Sequence, residues 1–284
     1  MIEPVSLAKA HMECRYLKET VPVLIDLLAF EKVGEFPGEV TLKHPNTDWL
    51  IVVHEAGADA PVKQMHNHFG VRVATTGEVE AAYEYLSAHK EEYGLRQISK
   101  PLYNHGSYSL YFLEPGTNGW EIECYETFLR KETGEGMMGA VRASHWDSLL
   151  SPERFPGKGY VPQAFTHGTL ACGDLKPSRD FCTQVLGLEI HRANENVFYV
   201  KHPREKCYVV YAIRKNWTTF SPKFRFTINL ESKEAVTRAH RWLVESGKEL
   251  GVTELGDLDE TDGTVSLFFL SDPNRNWWEI SSLS

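Results

Sequence analysis

The chain has 284 residues, 42% of them hydrophobic and 24% charged, with a formal net charge of -9. That length exceeds one ordinary core and suits two domains of about 140 residues each. An acidic chain without a basic block excludes nucleic acid as the main partner, and no apolar run reaches the roughly 18 residues of a membrane span. Five cysteines, odd in number and without a C-x-x-C pair, argue against a disulfide framework or a zinc-thiolate site. The opening Met1-Ile2-Glu3-Pro4 lacks a signal-peptide layout, so a reduced, cytoplasmic protein is expected.

Ala10 to Tyr16 is short and mixed, which suits a strand. Val21, Leu24, Ile25 and Leu28 have helical spacing. Trp49 to His54 is an apolar run of strand length. The order then restarts, with a strand over His68 to Val73 and an amphipathic helix over Glu78 to His89. Strands follow over Ser109 to Leu113 and Trp120 to Tyr125. Gly, Pro and Ser become frequent in 133–160, and this stretch is read as a linker. Beyond it the plan returns. Ser178 to Leu186 and Lys233 to Glu245 suit helices, and Cys207 to Ile213 and Thr264 to Leu270 suit strands.

The chain repeats itself over a long period. Lys43-His44-Pro45 recurs as Lys201-His202-Pro203, 158 residues on (201 − 43). His68-Phe69-Gly70-Val71 lines up with Arg225-Phe226-Thr227-Ile228. Leu113-Glu114-Pro115 through Glu121 matches Leu270 through Glu279, and His11 is paired with His167. Such a period is far longer than a solenoid repeat, so this is a domain duplication. The expected class is α+β, with residues 1–132 as one domain, 133–160 as the linker and 161–284 as the second copy.

His11, His68 and Glu121 fall in three predicted strands of the first copy. A lone strand histidine is more often structural than a ligand. Jointly, two imidazoles and one carboxylate on a sheet form the ligand set that holds a divalent metal on one face and leaves the other open. These three are the expected metal ligands.

The layout resembles the vicinal oxygen chelate superfamily, whose members build an open metal-binding sheet from paired βαβββ modules. Within it, the stretch from His105 through Tyr111, Glu114-Pro115 and Glu121 is similar to the signature of type I extradiol ring-cleavage dioxygenases. The resemblance implies Fe(2+), with Mn(2+) as the alternative, a catechol-like aromatic substrate, O2 and a homo-oligomer. It implies a substrate-bonding role for Tyr111 and acid/base roles for His105 and His54. Histidine suits such proton transfers because it titrates near neutrality.

The second copy serves as an internal control. There His54 becomes Ala212, His68 becomes Arg225, His105 becomes Asp262 and Tyr111 becomes Phe269, while His167 and Glu279 persist. A fixed positive charge at Arg225 stands where a cation would sit, and an Arg225–Glu279 ion pair is expected in a copy that does not bind metal. The leading function is thus an Fe(II) extradiol-type dioxygenase. The alternatives are a glyoxalase-like Lewis-acid enzyme or a small-molecule-binding module without catalysis.

Overall fold

The computed structural model describes residues 1–58, 60, 65, 67–104, 106–125, 146–260 and 266–283. The βαβββ module occurs four times. The first is β1 (Ser6–Cys14), α1 (Leu17–Leu28), β2 (Glu31–Phe36), β3 (Glu39–Lys43) and β4 (Leu50–Glu55). The second is β5 (His68–Arg72), α2 (Thr76–Ala88), β6 (Leu102–Asn104), β7 (Ser107–Leu113) and β8 (Gly119–Cys124). The third is β9 (Ala164–Cys172), α3 (Leu175–Gln184), β10 (Glu189–Ala193), β11 (Val197–Lys201) and β12 (Tyr208–Ile213). The fourth is β13 (Arg225–Leu230), α4 (Lys233–Ser246), β14 (Glu254–Leu255), β15 (Leu267–Ser271) and β16 (Trp277–Ser282). The α+β class and the module plan expected from the sequence are the observed ones.

Capping residues start the helices where the repeat places them. The Thr75 side chain accepts from the Glu78 N–H in a reciprocal capping box, and Ser232 accepts from Ala235 at the same place in the second copy. The paired acid-Pro motifs build turns. Glu114 is buried and accepts from Thr20 Oγ1 at 2.7 Å and the Asn118 N–H at 2.9 Å. Asp272 likewise accepts from Tyr211 OH at 2.8 Å and the Asn276 N–H at 2.9 Å.

The chain divides into two compact units, but not at the expected linker. One unit is continuous, Met12–Thr169; the other joins Met1–His11 to Leu170–Ser284. In the second, β1 pairs antiparallel with β13, followed by β16, β15 and β14. In the continuous unit, β9 pairs antiparallel with β5, followed by β8, β7 and β6, while β4 pairs with β3 and β3 with β2. The physical reason is an edge strand's need for a partner. The first strand of module 1 finds it on module 4, and that of module 3 on module 2. The expected domain of residues 1–132 therefore lacks its own first strand segment and gains β9 up to Thr169. Residues 133–145 of the expected linker lie outside the described residues. The remainder belongs to the continuous unit, where Tyr160 is buried and its OH donates to the Leu27 carbonyl at 3.1 Å.

Strand alternation gives each sheet two faces. In the continuous unit Phe69, Trp120 and Phe165 pack together with Phe30, with ring centroids 5.3–6.4 Å apart. The residues between them, His68, Gly70 and Glu121, point the other way. All five cysteines are buried and none is in a disulfide.

Candidate metal centre

Four strands of the continuous unit carry one row of residues. Tyr111 on β7 is opposite Glu121 on β8, Glu121 is opposite Gly70 on β5, and Gly70 is opposite His167 on β9. Neighbouring strands lie about 4.8 Å apart, so side chains two strands apart meet only where the strand between them carries none. Gly70 meets that need. A Cβ built there would lie 2.0 Å from His167 Cε1. The imidazole of His167 thus reaches over Gly70, and its Nε2 comes 3.2 Å from Glu121 Oε2. His68, one pleat before Gly70, places its own Nε2 3.2 Å from the same oxygen.

A bulge turns His167 toward this row. Val71 pairs with Phe165 and Gly70 with His167, which leaves Thr166 as the extra residue. In a regular strand Phe165 and His167 would share a face. The bulge sends Phe165 into the aromatic core and His167 to the opposite side, as bulges beside functional sites do.

His68, Glu121 and His167 are all buried, and their ligand atoms lie within 4.8 Å of one another. His68 Nδ1 donates to the Met65 carbonyl at 2.8 Å. His167 Nδ1 bonds Thr166 Oγ1 at 2.9 Å. With their Nδ1 atoms so engaged, both rings turn the lone pair of Nε2 toward the carboxylate. Lone pairs converging on an anion call for a cation among them. The two 3.2 Å edges match the spacing of adjacent ligands about 2.1 Å from one metal. The residues present therefore fit a divalent metal. Thr169 Oγ1, 3.2 Å from His68 Nε2, lines the same place.

Tyr111 OH donates to Glu121 Oε1 at 2.7 Å, leaving Oε2 for the imidazoles. Burial first, then the Glu121 charge, hold this phenol far above its ordinary range, so it stays a donor.

The structure does not bring the other expected residues here. His11 lies in the other unit on β1, opposite Arg225, with Nε2 2.9 Å from Thr227 Oγ1. It is not the third partner of His68 and Glu121; His167 holds that place. His54 lies on β4, where its Nδ1 pairs with Glu39 Oε2 at 3.1 Å on the adjacent strand. His105 and Asp262 lie outside the described residues.

The other unit carries the matching row: Phe269 opposite Glu279, Glu279 opposite Thr227, Thr227 opposite Lys9. Its bulge falls on Ala8. The two copies of the first strand thus align 158 residues apart (167 − 9), not the 156 that pairs His11 with His167. Lys9 stands for His167, His11 for Thr169, Arg225 for His68 and Thr227 for Gly70. The Arg225 guanidinium takes Glu279 Oε2 at 2.6 Å, the ion pair expected from the sequence, and Thr227 Oγ1 donates to Glu279 Oε1 at 3.1 Å. The Arg225 guanidinium also lies over the Phe269 ring, 4.8 Å from its centroid. A fixed cation and a hydroxyl fill the space that the first row leaves for a metal.

His167, Gly70 and Thr169 are the site residues that sequence reasoning missed. A signal existed: Cys14 and Leu17-Lys18 recur as Cys172 and Leu175-Lys176, also 158 apart.

No protein-family model matches the sequence, and no curated protein does. Solved structures do match. Glyoxalase I from Zea mays superposes with a TM-score of 0.64 at 15% identity, covering 98% of this chain and 91% of that one. A point variant of the same maize enzyme gives 0.67 at 14% identity, covering 98% and 92%. A provisionally assigned dioxygenase from Bacillus subtilis gives 0.63 at 11% identity, covering 99% and 86%. The chain has the fold of these proteins over nearly its whole length.

Proposed function

We propose that His68, Glu121 and His167 hold one divalent metal ion, and that the protein is a non-haem Fe(II) dioxygenase of the extradiol type. Its substrate would be a catechol-like aromatic, with Mn(II) as the alternative metal. The observation that carries this reading is the row Tyr111–Glu121–Gly70–His167, which with His68 sets two imidazoles and one carboxylate on one sheet face. When bound, iron on such a triad supplies the open positions and the electron chemistry that activates O2. The chain supplies the rest. Strands hold the ligands more rigidly than loops would. Tyr111 keeps its proton and fixes the Glu121 carboxylate through Oε1. His105 is proposed as the acid/base, on the resemblance alone.

A glyoxalase-like Lewis-acid reaction is the second reading. It is favoured by the position of His54, which pairs with Glu39 on β3 instead of adding an acid/base group to the row. Oxygen dependence separates the two. Protein loaded anaerobically with Fe(II) and given a panel of catechols should form a yellow ring-opened product on admission of O2. Turnover at an undiminished rate without O2 would replace the dioxygenase reading with the Lewis-acid one.

A further inference from the structure

Behind His167 lies a chain of polar groups that the ligand set does not include. Thr166 Oγ1, the hydroxyl of the bulged residue, bonds His167 Nδ1 at 2.9 Å. It also lies 3.2 Å from Glu123 Oε1 and 3.1 Å from the Gly70 carbonyl, the acceptors open to its own hydrogen. Glu123 Oε1 in turn accepts from Arg72 Nε at 3.1 Å and from Nη2 of the same guanidinium at 2.6 Å. Arg72 and Glu123 are 2% and 1% exposed. A buried ion pair is weak evidence for stability, because desolvation offsets most of its attraction. Its position needs another explanation.

The second copy supplies one. At the matching places, 157 or 158 residues on or back, Arg72 becomes Asn229, Glu123 becomes Ser281 and Thr166 becomes Ala8. The same strands, the same pairing and the same bulge form there without these three groups. The fold does not require them. They occur in the copy that has the converging ligands and are absent from the copy closed by Arg225.

We propose that Thr166 is a positioning residue for His167, anchored by the Arg72–Glu123 pair, and that it fixes which ring nitrogen faces the metal. The inference rests on the metal reading above. By accepting from Nδ1, the Thr166 hydroxyl holds the hydrogen on that nitrogen and aims Nε2 at Glu121. Such outer partners commonly set metal affinity by about 10- to 100-fold.

The test is Co(II) titration of the apo protein, followed by its ligand-field absorption. Thr166→Val keeps the shape and removes the hydroxyl. It should weaken Co(II) binding by about 10- to 100-fold and alter the absorption bands, while Thr166→Ser restores both. Thr166→Ala serves as a second variant, since Ala8 shows that the bulge accepts alanine. Variants that bind Co(II) with the parent affinity and spectrum would overturn the positioning role and leave the metal site standing. A parent protein that binds no Co(II) would remove the metal reading, and this inference with it.

Discussion

Gly70 lies directly beneath the imidazole of His167, with room for a hydrogen but not for a methyl group, since a Cβ would sit 2.0 Å from Cε1. The obstructing atoms belong to a ring held at Nδ1 by Thr166, so the ring must rotate or leave. Gly70→Ala should therefore weaken divalent-metal binding by about tenfold or more while the sheet survives, because the glycine's φ is ordinary. Isothermal titration with Co(II), alongside a circular dichroism spectrum, measures both effects.

The crossed strand pairing makes opposite predictions for two histidines. His167→Ala should abolish stoichiometric metal binding, and His11→Ala should leave it unchanged, because His11 bonds Thr227 in the other unit. His54→Ala should likewise leave metal binding intact. Metal content after reconstitution decides each case. A normal content in His167→Ala would return the site to the arrangement first expected from sequence.

Arg225 and Glu279 form a nearly buried pair, and removing one partner leaves an uncompensated charge. Arg225→Met should destabilise the protein by about 3–5 kcal/mol in urea unfolding. Metal affinity should not follow, since the metal ligands lie in the other row.

His44 gives a pH dependence. Its Nε2 donates to the Pro162 carbonyl at 3.1 Å and its Nδ1 accepts from the Asn46 N–H at 3.3 Å, so the neutral ring is fully bonded. Burial, the largest cause, lowers its pKa from 6.5 to about 4. The unfolded chain takes up this proton below 6.5, whereas the folded protein resists until about 4. The stability is complete above pH 6.5 and declines as the pH falls to about 4, by about 3 kcal/mol in all. His44→Gln should flatten that part of a plot of urea midpoint against pH.

Much of the fold was legible because the duplication is written in local motifs. The two Lys-His-Pro runs and the two acid-Pro turns fixed the period, and helical spacing fixed α1, α2 and α4. His68, Glu121 and Tyr111 were legible because each lies in a run that recurs in the second copy. His167 was not. Period-two alternation assigns Phe165 and His167 to one face, and only the bulge at Thr166 separates them. Nor does any local signal state that β1 bonds β13; partner choice depends on which edge is available once four modules exist. Gly70 stands in an aligned run opposite Thr227, and that contrast carried the information.

The pairing of β1 with β13 also orders events in time. The Met12–Thr169 unit is complete in sequence once its own residues have been made. One side of the Ser6–His11 segment pairs with β13, and its bond from His11 to Thr227 spans 216 positions. During synthesis the side of that segment that faces β13 waits open until the fourth module arrives. Closing so long a loop is slow, and an exposed edge meanwhile invites wrong pairing. The Lys9 in that segment is the kind of charged residue that keeps a waiting strand soluble.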